Sequence, residues 1–210
     1  MKKSSSYYDG TMRELSFDQI IAEIRAISTR NEIEVEEVPA PQRLAPFAIA
    51  LTATVLGDVV ITSESEEDGE EIATGRFVLL HDPEGQDGWG GRFRCVTFVR
   101  ANIDRDMVSD PLLADVGWTW LLESLTKLNC DYTSPSGTVT RVASSSFGTL
   151  SSRAEESELE VRASWTPLSA ERLSDHVRAW LEVLEISAGL APIPEGVSQL
   201  GRNNSASASR

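Results

Sequence analysis

The chain has 210 residues, of which 40% are hydrophobic and 25% are charged, a composition typical of one globular domain rather than a disordered chain. Its 33 acidic residues against 19 Lys and Arg give a formal net charge of -14, which disfavours nucleic acid and anionic membranes as partners. The two cysteines make no disulfide framework and no apolar stretch resembles a signal or membrane segment, so we expect a cytoplasmic protein with reduced thiols.

The N-terminal region predicts a disordered segment followed by an amphipathic helix. Residues 1–15 are polar and show no periodicity. Ser16 and Gln19 have the spacing of a capping box, and apolar residues then recur at helical spacing. These apolar residues are Phe17, Ile20, Ile21, Ile24 and Ile27.

The next seventy residues predict antiparallel strands. The connector 31–42 alternates glutamates with β-branched residues, which is compatible with a short edge strand ended by Pro39 and Pro41. Three stronger strand patterns follow, separated by polar or glycine-rich segments. The strands are predicted over 47–56, 72–80 and 93–101, with an acidic loop over 63–71 and a turn over 81–91.

The third of these strands has arginines and apolar residues on the same face. Arg94 and Arg100 alternate in phase with Val96 and Phe98. We therefore expect this face of the strand to be only partly buried.

The C-terminal half predicts two helices around two further strands. Asp110 and Pro111 suit the start of a helix, and an apolar stripe follows that indicates the centre of the core. The third helix is expected from near Ser169 to Gly189. The remaining segments are a turn over 133–137, strands over 138–149 and 158–165, and a flexible tail over 190–210.

These elements predict a single α+β domain over residues 16–189, in the order α-β-β-β-α-β-β-α, with about five antiparallel strands and three helices. The order is similar to that of the type III secretion chaperone fold, an analogy of fold alone. Two of the strands carry apolar residues on both faces. Either part of the sheet is therefore covered twice, or one face supports self-association.

Five stretches of the sequence carry a family resemblance. They are Arg76–Pro83, Phe93–Phe98, Val116–Trp120, Ser136–Val142 and Arg162–Pro167. They resemble an actinobacterial family of uncharacterised proteins, the domain of unknown function numbered three thousand in its series. The resemblance implies a bacterial cytoplasmic protein, often encoded beside a ribonuclease D-like gene. It supplies no catalytic residues.

One acidic cluster has residue types that suit a hard metal ion. His81, Asp82, Glu84 and Asp87 lie on a turn that also contains glycines. Their spacing departs from the calcium-loop pattern, so we favour a solvated hairpin tip. We expect no metal and no cofactor.

Trp89 is the first candidate for contact with a partner. It lies among glycines on the predicted turn. A large aromatic side chain in such a position either packs back on the core or is exposed and contacts a partner, and we favour packing on the core.

Four arginines on or beside the third strand are the second candidate. If Arg92, Arg94, Arg100 and Arg105 share a face, they form a basic stripe that could bind phosphate. We favour ordinary pairing with nearby carboxylates, because no aromatic ladder or RNA-binding signature accompanies them.

Nucleophilic catalysis has few candidates. Cys130 would need proximity to His81 or His176, which the sequence does not indicate. His176 is expected to be an exposed helix residue. No nucleophile elbow or phosphate-binding glycine motif occurs.

Two functions remain open. The first is a non-enzymatic adaptor or chaperone-like domain, with homodimerisation possible and its protein partner unknown. The alternative is an accessory factor or enzyme of RNA or nucleic-acid metabolism, which predicts a concave positive patch containing Arg94 and Arg100. The candidate contact residues are Trp89, Arg92, Arg94 and Arg100.

Overall fold

The computed structural model describes residues 16–57, 70–152 and 156–192, together with the backbone alone at 61–62 and 65–66. The predicted disordered segment, residues 1–15, lies outside the described residues. So do most of the predicted acidic loop and the predicted tail from residue 193 onward.

The described part of the chain forms a mixed α/β structure. Six strands make one antiparallel sheet in the order β1-β2-β5-β6-β8-β7, and β3 and β4 pair separately as two-residue strands. The elements are α1 (Phe17–Arg25), β1 (Ile33–Val38), β2 (Phe47–Leu56), β3 (Ile61–Thr62), β4 (Ser65–Glu66), β5 (Glu71–Gln86), β6 (Gly91–Asn102), α2 (Arg105–Val108), α3 (Leu113–Lys127), β7 (Tyr132–Ser144), a 3-10 turn (Gly148–Leu150), β8 (Glu156–Pro167) and α4 (Leu173–Ser187).

The predicted class of helices with an antiparallel sheet is confirmed, but the predicted counts are too low. The main sheet has six strands rather than about five, because the acidic connector forms β1 and pairs with β2. Four α-helices rather than three lie in the described residues. The additional helix, α2, has four residues, too few to produce a periodic sequence pattern.

One predicted turn is shorter than expected, and another lies inside a strand. The turn predicted at 81–91 occupies only 87–90. β5 continues through Pro83, which is tolerated because the pairing of β5 with β2 ends at His81 and its pairing with β6 is irregular beyond that residue. The predicted turn at 133–137 is a bulge in β7, where the register with β8 shifts between Thr133 and Ser136. That shift accommodates Pro135 and places Ser134 at a φ of 52°.

The helices bury one face of the sheet. Trp165 of β8, Trp180 of α4 and Phe77 of β5 are fully buried at the centre, with ring centroids 5.5 Å apart for Phe77 and Trp180. Gly75 of β5 lies directly beneath the indole of Trp180, and a Cβ at this glycine would approach the ring to 2.9 Å. The absence of a side chain therefore allows the helix and the sheet to approach.

Among the described residues, the opposite face of the sheet is covered only at one end. Ala50, Val78 and Leu80 are buried there by a few partly buried residues outside the helical layer. These are Val38, Ala40, Ala45, Ala48 and Trp89. Part of the sheet is thus covered on both faces, and no helix in the described part of the chain lies over this face of β5, β6, β8 and β7.

Candidate docking groove on the open sheet face

A shallow groove of about 540 Å³ lies on the sheet face opposite the described helices. Its floor includes Val78 of β5 together with Val96 and Phe98 of β6. Their neighbours Phe77 and Thr97 point to the buried face, since successive strand residues alternate between faces. Val96 remains 39% exposed although it lies in a central strand. We call this feature the docking groove.

Two arginines stand on either side of Phe98 in the docking groove. Arg76 of β5 and Arg162 of β8 are its direct neighbours across the two strand pairings. The guanidinium carbon of Arg162 lies 5.0 Å from the centre of the Phe98 ring, and Arg162 also pairs with Glu160. Arg76 is exposed, and no described residue forms a hydrogen bond or ion pair with its guanidinium group.

Arg94 lies beside the docking groove and is held by neutral acceptors. Its guanidinium donates to Ser134 O at 3.2 Å, Thr166 Oγ1 at 2.9 Å and Ser164 Oγ at 2.6 Å. It also donates to Ser136 Oγ at 3.2 Å. Burial lowers the pKa of Arg94 from its usual value, but an arginine stays cationic. Among the described residues no carboxylate lies within ion-pair distance, so this charge is fixed but not neutralised.

Trp89 folds back on the protein. Its side chain is partly buried against the cluster of Ala50, Val78 and Leu80, and its carbonyl oxygen accepts a hydrogen bond from Thr166 Oγ1 at 2.7 Å. This arrangement agrees with the folded-back alternative. Because Thr166 also accepts from Arg94, Trp89 is coupled to the arginine beside the groove.

The predicted arginine stripe is divided. Arg100 is on the open face but faces two carboxylates, Glu71 at 3.7 Å and Glu158 at 3.9 Å. Arg92 lines a separate pocket that also includes Phe17 and His81, and Arg105 belongs to α2. The expected pairing with carboxylates thus holds for Arg100 and is wrong for Arg94.

The sequence reasoning missed Arg76 and Arg162 as groove residues. The alternation of apolar and polar residues along each strand already indicates that these arginines face outward. What placed them beside Phe98 is the register between strands, which the alternation does not specify.

The acidic turn does not assemble a metal site. His81 stacks on Phe93 with ring centroids 4.3 Å apart, whereas Asp82 accepts a hydrogen bond from Gln86 Nε2 at 3.1 Å. Within the described ranges no group of three or more His, Cys, Asp or Glu side chains converges to hold a metal ion.

The expectation that His176 is exposed is wrong. Its side chain is buried, at 3% exposure, and its Nδ1 accepts a hydrogen bond from the indole N–H of Trp165 at 2.9 Å. Burial lowers the pKa of His176 to about 4. His176 shares the buried face of α4 with Leu173, Val177 and Trp180, a spacing that the sequence contained.

Neither cysteine is arranged as a nucleophile. Cys130 is half-buried, and burial raises its pKa to about 12. Cys95 is fully buried, which raises the pKa of its thiol well above the usual value. Both groups are therefore protonated thiols at neutral pH, whereas a reactive cysteine is a thiolate.

The structure defines an antiparallel α/β protein with helices on one sheet face and a cationic, apolar groove on the other. No helix in the described part of the chain is long and apolar enough to cross a membrane. Residues 14–198 match the family described as "Protein of unknown function (DUF3000)", and the chain belongs to that family. This match confirms the family resemblance carried by the five sequence stretches. No curated protein and no solved structure is similar enough to match this chain.

Proposed function

We propose that this protein is a non-enzymatic adaptor or chaperone-like domain of the bacterial cytoplasm, and that its docking groove binds an acidic, apolar segment of a partner protein. The observation that carries the proposal is the set of guanidinium groups around an apolar floor on the open sheet face. The guanidinium group of Arg76 has no polar partner among the described residues, that of Arg94 has only neutral ones, and Val96 is exposed between them.

The charge of the groove supports an acidic partner. The whole chain carries -14, so a partner drawn to the groove is selected by local rather than overall charge. A carboxylate that reaches Arg76 forms charge-assisted hydrogen bonds, each contributing roughly 1.5–3 kcal/mol where the pair is shielded from water. Apolar side chains of the same segment would cover Val96 and Phe98, which removes their surface from water.

Nucleic acid fits the same groove less well. The alternative function required a positive patch with both Arg94 and Arg100, but Arg100 forms exposed ion pairs with Glu71 and Glu158, which oppose its positive charge. Phe98 is the aromatic residue of the groove, and Arg162 already covers its ring. Base stacking on an exposed aromatic platform, which single-stranded nucleic acid binding uses, is therefore not supported.

The groove also lacks the groups that a hydrolytic or transfer reaction uses. Its described lining contains no His, Cys, Asp or Glu side chain. The hydroxyl groups of Ser136 and Ser164 accept hydrogen bonds from Arg94, and a guanidinium cannot serve as the general base that activates a serine. These contacts favour binding over catalysis.

A pair of charge-matched variants tests the proposal. Arg76→Glu/Arg162→Glu reverses the charge of the groove, and the control Arg25→Glu/Arg178→Glu makes the same change at arginines that pair on the helical side. Each tagged protein is purified from the native host, and its bound proteins are quantified by mass spectrometry. We expect a partner with an acidic, apolar segment to be lost from the groove variant and retained by the control.

Two outcomes would contradict the proposal. Equal loss from both variants would show that overall charge, not the groove, controls binding. Loss of the bound material after nuclease treatment would show that the groove binds nucleic acid. Circular dichroism of both variants excludes unfolding as the cause.

A further inference from the structure

The two edges of the main sheet are protected differently. The edge strand β1 has six residues, among them Glu34, Glu36 and Glu37, and Pro39 follows it. Charges and prolines on an edge discourage another strand from adding to it. The edge strand β7 is 13 residues long and contains no acidic residue. Among the described residues, none pairs with its outer side.

The lack of acid extends beyond β7. Residues 132–152 contain no Asp or Glu in a chain that has 33, and Arg141 is their only charged residue. The guanidinium of Arg141 is turned to the helical side, where it donates to the carbonyl oxygens of Val108 and Asp110. The outer edge of β7 therefore presents no charge that would repel a neighbouring strand.

The central part of β7 has the regular geometry that strand addition requires. Its pairing with β8 runs without a shift from Ser136 to Ser144. The residues between include Thr138, Val139, Thr140 and Val142, and β-branched residues favour strands. Pro135 and the bulge interrupt the edge only before Ser136, so residues 136–144 remain as a regular, uncharged edge that can act as a template for another strand.

We propose that β7 pairs antiparallel with β7 of a second copy, about a two-fold axis at Thr140. Copies that each carry -14 repel one another over most of their surfaces, and the acid-free edge is where that repulsion is smallest. Pairing about Thr140 places Thr138 opposite Val142 of the other copy, and Val139 opposite Arg141. No like charges face each other, so the strand is complementary to itself.

This dimer extends the sheet from six strands to twelve and places both open faces on the same side. Ser136, Gly137 and Thr138 of β7 also line the docking groove, so the two grooves of the dimer lie side by side. The dimer does not depend on what the groove binds, and either proposal can fail while the other holds.

Light scattering after size-exclusion chromatography tests the dimer. The wild-type protein is expected at about twice the 23.0 kDa of one chain. Thr140→Glu and Thr140→Lys each place two like charges opposite each other at the axis, so each variant alone is expected to be monomeric. An equimolar mixture of the two variants is expected to restore a dimer, because the charges then attract. The control Glu36→Lys, on the other edge, should remain dimeric.

A monomeric wild-type protein at micromolar concentration overturns the inference. So does a dimer that persists in Thr140→Glu, because its interface then lies elsewhere. The inference is also overturned if the mixture of the two charge variants stays monomeric although each variant keeps the wild-type melting temperature.

Discussion

The indole N–H of Trp165 donates a hydrogen bond to Nδ1 of His176 at 2.9 Å and so joins β8 to α4 inside the core. Nδ1 can accept this bond only while the imidazole is neutral with its proton on Nε2. Protonation of His176 at Nδ1 therefore removes the bond and places a charge among apolar side chains.

The first prediction concerns acid stability. Burial lowers the pKa of His176 from 6.5 to about 4, so the unfolded state takes up this proton at higher pH than the folded state. The contribution of neutral His176 to the free energy of unfolding is fully present above pH 6.5 and is lost as the pH falls from 6.5 towards 4. The total loss attributable to His176 is about 3 kcal/mol in the free energy of unfolding.

Urea unfolding across this pH range, with His176→Asn as the reference, measures the effect. Asparagine offers an oxygen acceptor near the Nδ1 position but does not titrate. The difference in unfolding free energy between wild type and variant should fall as the pH is lowered below 6.5. A difference that stays constant with pH would mean that His176 does not titrate between the two states.

The second prediction concerns the contact of Gly75 with Trp180. A methyl group at Gly75 would approach three atoms of the fully buried Trp180 indole, the nearest to 2.9 Å. We expect Gly75→Ala to lower the free energy of unfolding by roughly 1–3 kcal/mol. The matched control is Gly88→Ala, because a Cβ at Gly88 has no neighbour within 4 Å. Equal stability of the two variants in urea would refute the contact.

The third prediction concerns cysteine reactivity. With a pKa of about 12, Cys130 is almost entirely in the thiol form at neutral pH, and Cys95 is inaccessible. A disulfide exchange reagent should therefore modify the native protein slowly and modify both cysteines rapidly in urea. A rapid burst of one equivalent in the native protein near pH 7 would show that Cys130 is activated.

The fourth prediction separates two arginines on the same sheet face. Arg94 joins β6 to β8 and to the bulge of β7 through its four acceptors. Lysine cannot reproduce the planar set of guanidinium donors, so Arg94→Lys should lower the free energy of unfolding by roughly 1–3 kcal/mol. Arg100→Lys, which alters solvent-exposed ion pairs only, should change it by less than about 0.5 kcal/mol. Comparable losses in thermal unfolding would contradict the distinction.

Elements encoded by neighbouring residues are predictable from the sequence. The capping box of α1 forms as expected, with Gln19 N donating to Ser16 Oγ at 3.3 Å and Ser16 N donating to Gln19 Oε1 at 2.9 Å. The alternation of β6 also places Arg94 and Phe98 on the partly exposed face as predicted. In both cases the signal lies within a few residues.

The docking groove is less predictable because distant strands build it. The row of Arg76, Phe98 and Arg162 requires the pairing of β6 with β8, more than fifty residues later in the chain. No local pattern fixes that register. The expectation for His176 fails for a different reason. Its charged neighbours Arg172 and Asp175 suggest an exposed residue, whereas the apolar spacing of α4 places it on the buried face.

The most direct test of the docking groove is photo-crosslinking in the native host, with p-benzoylphenylalanine in place of Val96 on its floor. Thr119, exposed on the helical side, is the control position. The proposal predicts a protein crosslinked at position 96 and not at position 119, through a segment rich in acidic and apolar residues. A crosslink to nucleic acid, or equal crosslinking at the two positions, would contradict it.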